Sequence, residues 1–274
     1  MKVKIRIGNE VKEYTGAWED HTLLEVFQEL GITQVHAPCG GNGTCKKCLV
    51  TVEGLGEVLS CQTQCKDGMC VTVAEEQKSA IAENGNCYLY PADAGDGLLA
   101  ACDIGTTTVV CHLLDGATGV RLCTVSAPNA QRSFGADVIS RIQASVDSGL
   151  DKLQSAIVDQ INGMLVQLKQ KAGRTEDIRR LAVAGNTVMS HLFCGLSPES
   201  IGVAPFTPLS LFGESYDAKQ IGIEGCETVY VVPSIAGYVG GDIVADLAAV
   251  QMHSSVLAED GEKETLLLDI GTNG

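Results

Sequence analysis

Residues 37–50 read APCGGNGTCKKCLV, a glycine-rich stretch that contains Cys39, Cys45 and Cys48. Cys61 follows in the segment LSCQT, so the four cysteines are spaced C-x5-C-x2-C-x12-C. A [2Fe–2S] cluster requires four thiolates, two for each iron. Glycines let such a loop bend around a cluster and point backbone N–H groups at its sulfurs. The stretch therefore predicts an iron–sulfur cluster and one-electron transfer.

Zinc and disulfide bonds are the alternatives to a cluster. Structural zinc sites usually present two separated C-x2-C pairs, and in this loop only Cys45 and Cys48 form one. The chain has 12 cysteines, but its start, MKVKIRIG, alternates like a strand and does not resemble a signal peptide. This combination favours a reducing cytoplasm over a disulfide framework. Cys65 and Cys70 are close enough to Cys61 to stay candidates for the fourth ligand.

The acidic composition narrows the range of partners. The net charge of −15 is spread along the chain, whereas nucleic acid binding requires clustered Lys and Arg. The longest apolar runs are interrupted by Asp103 and Asp269, so none reaches the length that spans a membrane. We therefore expect no nucleic acid and no membrane partner, and an acidic surface that suits a basic protein partner.

The length of 274 residues predicts two domains. Residues 1–73 contain two alternating strands, a helix opened by the capping box at 22–25, the cysteine loop and further strands, an α+β pattern. The polar stretch 74–98 is predicted to be a linker. In residues 99–274 apolar strands alternate with helices, which is typical of an α/β sheet with both faces covered.

Two similar turns follow apolar strands in the second domain. DIGTTT at 103–108 follows the strand LLAAC, and DIGTNG at 269–274 follows TLLL. An aspartate at a strand end can hold Mg²⁺ directly or through water, and glycine permits close approach of the backbone to a phosphate. Threonine hydroxyls and turn N–H groups can donate to the phosphate oxygens. Two such turns predict a duplicated unit that clasps the phosphates of one nucleotide.

The two turns resemble the phosphate-1 and phosphate-2 motifs of the acetate kinase/sugar kinase/Hsp70/actin superfamily, and LAVAGNTVMSHLFCG resembles the segment that connects them. The cysteine spacing is similar to that of adrenodoxin-like ferredoxins. SFGADVISRI, APFTPL and AGYVGGDIVADLA narrow the resemblance to the reductive activators of corrinoid-dependent enzymes. It implies a β-grasp [2Fe–2S] ferredoxin domain followed by an RNase H-like subdomain of an actin-like ATPase fold.

The resemblance also implies roles for individual residues. The implied cluster ligands are Cys39, Cys45, Cys48 and Cys61. The implied catalytic carboxylates, near the metal and the γ-phosphate, are Asp103, Asp242 and Asp269, although Asp242 fits a helix N-cap equally well. The residues implied to surround the nucleotide are Gly105, Thr106, Thr107, Gly185, Asn186, Gly271, Thr272 and Asn273.

Members of this family use ATP to drive reduction of an inactive Co(II) corrinoid to Co(I), with one electron supplied through the cluster. The implied cofactors are a [2Fe–2S] cluster and ATP with Mg²⁺. The implied partners are a corrinoid protein or corrinoid-dependent methyltransferase, an electron donor protein and, in a homodimer, a second copy of the chain. Members are longer, so the chain is expected to be C-terminally truncated at Gly274 and, by itself, inactive as an ATPase.

Two other functions compete with reductive activation. One is a ferredoxin-type electron-transfer module whose second domain only docks a partner without turnover. The other is a small-molecule kinase of the same superfamily, which has no use for a cluster, so the cysteines count against it. ATP hydrolysis separates the first alternative from an activase.

Overall fold

The computed structural model describes residues 1–32, 34–35, 37, 41–44, 46–74, 95–257, 267 and 269, with only the backbone at 251–257. The chain divides into two compact units, one of residues 1–80 and 130–148 and the other of residues 81–129 and 149–274. The first unit thus includes a segment, 130–148, that lies within the predicted ATPase subdomain. The predicted boundaries at 73 and 98 stay predictions.

The first unit is built on a mixed five-stranded sheet. Its strand order is β2-β1-β5-β3-β4, with β1 parallel to β5 and the other neighbours antiparallel. One helix, α1, lies between β2 and β3 in the chain. The elements are β1 (Lys2–Ile7), β2 (Glu10–Thr15), α1 (Leu23–Glu29), β3 (Leu49–Val52), β4 (Gly56–Leu59) and β5 (Met69–Val73).

The core of this unit follows from the sequence pattern of β1 and α1. Strand β1 alternates exposed and buried residues, so Val3 and Ile5 point inward. Helix α1 begins at the predicted capping box, in which Thr22 and Glu25 bond to each other's backbone N–H groups. The helix buries Phe27 completely, a burial that stabilises the unit by about 1.5–3 kcal/mol.

The segment 130–148 contributes a second helix to the first unit. Helix α2 (Val138–Asp147) carries Arg141, whose side chain is fully buried and donates from Nε to the Gly135 carbonyl at 3.0 Å. Burial lowers the pKa of the Arg141 guanidinium to about 9. Gln28 Nε2, on α1, donates to the Ser133 carbonyl at 2.9 Å. The bond from Gln28 ties the segment to α1.

The second unit is built on a six-stranded sheet with order β10-β11-β9-β6-β7-β8. Strands β11, β9 and β6 run parallel, and β6, β7 and β8 form an antiparallel meander. The strands are β6 (Leu98–Ile104), β7 (Thr108–Asp115), β8 (Arg121–Pro128), β9 (Ile178–Gly185), β10 (Ser215–Asp217) and β11 (Cys226–Val231). The helices are α3 (Leu150–Ala172), α4 (Thr187–Cys194), α5 (Ala218–Ile221) and α6 (Gly241–Leu257).

Helix α3 covers one part of this sheet because its apolar residues recur on one face. Ile157, Ile161 and Leu168 are fully buried, and the helix packs against β7, β8 and α4. It ends at Gly173, which adopts a left-handed φ of 64°. The carboxyl ends of β11, β9 and β6 meet at one edge of the sheet, the place where parallel α/β sheets bind ligands. In the part of the chain that is described, no helix is both long and apolar enough to cross a bilayer.

Candidate functional site

The cysteine loop brings two of its sulfurs side by side. Cys48 directly precedes β3, and Cys61 lies in a single 3-10 turn after β4. The Ser60 N–H donates to the Cys48 carbonyl at 2.9 Å and joins the two segments. The two Sγ atoms are buried and 3.2 Å apart. Tetrahedral metal–thiolate bonds of about 2.3 Å place two sulfurs of one metal roughly 3.8 Å apart, so a small relaxation lets one iron bind both.

The environment of Cys61 suits a metal-bound thiolate. Burial, followed by the contact with Cys48, raises the pKa of the Cys61 thiol to about 11. The Gln62 side chain and the Gly43 backbone N–H both donate to the Cys61 sulfur, and these two hydrogen bonds lower the pKa of its thiol. A metal ion removes the repulsion between adjacent thiolates and displaces their protons, while the two donors remain. This donor set fits an iron–sulfur cluster.

The loop backbone needs its glycines. Gly41 and Gly43 have φ values of 88° and 73°, a left-handed region that favours glycine. A Cβ atom at Gly41 would lie 3.8 Å from the Cβ of Cys61, so the loop passes directly over that cysteine. Two of the predicted ligands, Cys39 and Cys45, lie outside the described residues.

Cys65 and Cys70 are the other candidates for the fourth ligand. Cys65 is buried, and its N–H donates to the His21 carbonyl at 2.8 Å. Burial raises the pKa of the Cys65 thiol, and the charges that act on it are the N-terminal ammonium and Asp67. Cys70 lies within β5. Cys61 is thus the candidate whose sulfur the structure places against that of Cys48.

At the carboxyl edge of the second sheet, the structure brings the first predicted phosphate turn beside the start of α4. Strands β6 and β9 are parallel neighbours, with Ile104 opposite Gly185. The residues that follow them are therefore adjacent, and Asn186 Nδ2 donates to Thr106 Oγ1 at 3.1 Å. The Oδ1 of Asn186 also accepts from the Met189 N–H and caps α4. Gly105 and Thr107 lie in the same turn.

Glycines allow these segments to approach closely. A Cβ atom at Gly105 would lie 2.7 Å from the Thr108 carbonyl oxygen, and one at Gly185 would lie 2.9 Å from that of Ile104. A Cβ atom at Gly240 would collide with the backbone of Asn186. Any side chain at these positions would push the turns apart.

Four carboxylates gather at this edge. Partial burial and then the negative charges of its neighbours raise the pKa of Asp103 to about 6. Neighbouring protein atoms surround part of the Asp103 side chain, but the residue remains exposed to solvent. The neighbours that act on it are Asp242, Asp246 and Asp269.

Asp242 and Asp246 are on the first turns of α6. Burial is the largest cause of the raised pKa of each carboxyl, and the charge of Asp269 raises both further. The Asp242 carboxylate also accepts from the Ile243 N–H at 2.9 Å, so it helps to begin the helix while it faces the other carboxylates. Asp246 was not predicted from the sequence. Its spacing of four residues from Asp242, one helical turn, is the signal that places it on the same face.

The carboxylates of this edge are candidate ligands for Mg²⁺. Within the described residues, no three His, Cys, Asp or Glu side chains lie together closely enough to hold a metal ion by themselves. Mg²⁺ usually keeps several waters and is bound through one or two carboxylates and the phosphates of a substrate. The arrangement fits that mode of binding. Gly271, Thr272 and Asn273, of the second predicted turn, lie outside the described residues.

Asn129 is a further residue of this site that was not predicted. Its side chain is fully buried directly after β8. Its Nδ2 donates to the Gly105 carbonyl at 2.8 Å, and its backbone N–H donates to the Thr107 carbonyl at 2.9 Å. Asn129 therefore holds the turn from both of its ends. The only sequence signal is a polar side chain immediately after an apolar strand.

Comparison with known families finds two matching regions in the chain. A family model described as the RACo middle region matches residues 98–255, more than half of the chain. The chain belongs to the RACo family. A second model, described as a 2Fe-2S iron-sulfur cluster binding domain, matches residues 5–76 of this RACo-family chain. The two matches confirm the resemblance inferred from the motifs and support a [2Fe–2S] cluster at the cysteine loop.

Two relatives of this RACo-family protein agree with that assignment. "Corrinoid activation enzyme RamQ" of Eubacterium limosum is 30% identical, in an alignment that covers 93% of this chain and 56% of the relative. The solved structure "Reductive activator for corrinoid,iron-sulfur protein" matches with a TM-score of 0.54 and 26% identity, covering 94% of this chain and 59% of that one. The predicted fold class is confirmed. The chain spans a little over half the length of both relatives.

Proposed function

We propose that this protein is an ATP-dependent reductive activase. In this reaction one electron passes from the [2Fe–2S] cluster to an inactive Co(II) corrinoid on a corrinoid protein or methyltransferase, and ATP drives the transfer. The two family matches support the proposal, as do the relatives, one named a corrinoid activation enzyme and the other a reductive activator for a corrinoid, iron–sulfur protein.

One observation carries the proposal: a single chain combines the cysteine loop with a second site, the carboxylate edge. The carboxylate edge is the group formed by Asp103, Asp242, Asp246 and Asp269. An electron carrier alone reaches only the equilibrium set by two reduction potentials. An uphill transfer requires a ligand that stabilises one protein state over another, and nucleotide binding and hydrolysis can do this. A simple ferredoxin has no use for the second site, and a kinase has no use for the first.

In the proposal, the cysteine loop holds the electron carrier. The ligands are Cys39, Cys45, Cys48 and Cys61, of which the last two have buried sulfurs in contact. The cluster, when bound, supplies a one-electron store. Burial of Cys48 and Cys61 keeps water from these thiolates, and the donors at Cys61 stabilise its negative charge.

The carboxylate edge binds ATP with Mg²⁺ in the same proposal. Asp103, Asp242 and Asp269 hold the cation directly or through water, and its charge offsets the burial and the repulsion that raise the pKa of Asp103. The N–H groups and hydroxyls of the first turn donate to phosphate oxygens, and Asn186 orients Thr106 from the side. The residues assigned to the nucleotide are Gly105, Thr106, Thr107, Gly185, Asn186, Gly271, Thr272 and Asn273.

The remaining parts of the proposal concern the electron donor, the cellular compartment and the oligomeric state. A protein that reduces a corrinoid repeatedly must itself be reduced, so an electron donor protein is a required partner. We place the reaction in the cytoplasm because reduced thiols persist there. A homodimer is proposed as the assembly.

The test mixes the complete gene product, loaded with its cluster, with a Co(II) corrinoid protein and a reductant, and follows the corrinoid absorbance. We expect Co(I) to form with Mg²⁺ and ATP and to be absent without nucleotide. Equal Co(I) formation without ATP would support a ferredoxin-type module with a docking domain. Transfer of phosphate to a small molecule, without any Co(I), would support a kinase.

A further inference from the structure

Gln62 occupies a special position beside the cysteine loop. It follows Cys61 directly, in the same 3-10 turn, and its side chain is exposed. Its Nε2 atom lies 2.9 Å from the Gly41 carbonyl oxygen and 3.8 Å from Cys61 Sγ. An amide nitrogen has two hydrogens, so one can bond to the carbonyl while the other points at the sulfur.

Two contacts fix the amide in this orientation. The short bond to the Gly41 carbonyl holds the nitrogen end. A Cβ atom at Gly43 would lie 3.2 Å from Gln62 Cγ and 3.3 Å from its Cδ, so the loop backbone packs against the side chain. The Gly43 N–H donates to the Cys61 sulfur as well. The sulfur thus has one backbone donor and one side-chain donor.

We propose that Gln62 is a positioning residue that raises the reduction potential of the cluster through an N–H···S hydrogen bond to Cys61. The inference rests on the proposed cluster. Reduction adds one negative charge to the cluster and its thiolates, so a donor at a ligand sulfur stabilises the reduced state more than the oxidised one. The bond to Gly41 serves a second purpose, because it keeps the donor in place when the charge changes.

The expected effect is modest because Gln62 is exposed and the N···S distance is long. A net hydrogen bond of this kind is worth roughly a threefold to tenfold change in the ratio of reduced to oxidised cluster at a fixed potential. For a one-electron couple, tenfold corresponds to about 59 mV. Removing the donor should lower the ratio of reduced to oxidised cluster at a fixed potential.

The test is a redox titration of the cluster-loaded complete protein, followed by its electron paramagnetic resonance signal. Gln62→Leu removes the donor, and Gln62→Glu keeps the length of the side chain while replacing the donor by a negative charge. Gln64→Leu and Gln64→Glu are matched controls, because Gln64 is also exposed and follows two residues later. We expect Gln62→Leu to lower the midpoint potential, Gln62→Glu to lower it further, and each Gln64 variant to change it less than its counterpart.

Two results would overturn the inference. The first is a midpoint potential in both Gln62 variants that equals that of the matching Gln64 variants. The second is loss of the cluster from both Gln62 variants, since the side chain would then retain the cluster rather than tune it. Failure of the proposed function is a separate outcome, recognised by a wild-type protein that takes up no cluster at all.

Discussion

The cysteine loop and the carboxylate edge are opposite solutions to holding a charged group. Cys48 and Cys61 are close in sequence, and their sulfurs are buried and in contact. Asp103, Asp242 and Asp269 come from distant parts of the chain, and the Asp103 and Asp269 side chains are exposed. Thiols are protonated and nearly neutral until a metal displaces the protons, whereas carboxylates at neutral pH repel one another until a cation arrives.

This difference indicates which site keeps its bound group permanently and which site exchanges its ligand. A buried, local thiolate site binds its metal as part of folding and releases it slowly. An exposed site with unrelieved negative charge binds its cation only when the phosphates of a substrate complete the coordination. The cysteine loop is therefore suited to a resident electron carrier, and the carboxylate edge to a ligand that comes and goes with each turnover.

The largest effect should follow from removing a thiolate of the resident site. Cys61→Ser replaces a buried sulfur in contact with Cys48, so we expect loss or marked alteration of the [2Fe–2S] signal. Iron content and the spectrum of the reduced protein measure it. Cys65→Ser is the control and should keep the signal, because Cys61 is the cysteine whose sulfur lies 3.2 Å from that of Cys48. An altered signal in Cys65→Ser together with a normal signal in Cys61→Ser would mean that Cys65, and not Cys61, is the fourth ligand.

The next effect concerns the exchangeable site. Asp103→Ala removes a charge-assisted contact to Mg²⁺, which should cost about 1.5–3 kcal/mol of binding free energy, or roughly a tenfold to hundredfold loss of Mg·ATP affinity. Titration calorimetry of the complete gene product measures it. Asp159→Ala, an exposed residue of α3, is the control. If the two variants bind Mg·ATP alike, the nucleotide is held elsewhere.

A smaller effect should follow from loosening the first turn. Asn129→Ala leaves the Gly105 carbonyl without its buried donor and should cost about 1–3 kcal/mol of the free energy of unfolding. Urea unfolding measures this cost, and Mg·ATP affinity should fall as well. Asn162→Ala is the control, since Asn162 also bridges two backbone groups, those of Gly222 and Glu224. Asn162→Ala should reduce stability without reducing affinity, and an equal loss of affinity would contradict the account.

The smallest effect is a pH dependence of stability. The folded pKa of Asp103 is about 6 against a usual value of 3.8, so between these values the folded state binds more protons than the unfolded state. Stability from this group therefore falls as pH rises from about 4 to about 6 and stays low above that. Asp103→Asn cannot lose a proton, so its Tm should rise relative to wild type through this window. A constant difference in Tm from pH 4 to pH 8 would mean that neither burial nor the neighbouring charges raise the pKa of Asp103 in the folded state.

Local patterns in the sequence were sufficient for much of the fold and for part of the site. The capping box at Thr22 and Glu25 and the strand LLAAC, which lies within β6, are where the sequence predicted them, and strands and helices alternate in the second unit as expected. Each depends on side chains a few residues apart. The short strands β4 and β10 were missed, because three or four residues carry little periodicity and pair only in the context of a sheet.

The missed site residues depend on distant packing. Asn129 reaches Gly105 only because β6 and β8 run in the same direction in one meander, so both strands end at the same edge. Gln62 reaches Cys61 only because the Gly41 carbonyl holds its amide. No spacing rule along the chain specifies either contact. Asp246 is different, since its helical spacing from Asp242 was visible in the sequence.

The central claim is that the carboxylate edge drives electron transfer from a cysteine loop that does not itself need nucleotide. The most direct measurement is Co(I) formation by Asp103→Asn in the complete gene product, with Mg²⁺, ATP, reductant and a Co(II) corrinoid protein. The account predicts a full [2Fe–2S] signal in this variant together with Co(I) formation far below that of wild type. A wild-type rate of Co(I) formation would contradict it, because the electron would then reach the corrinoid without the carboxylate edge.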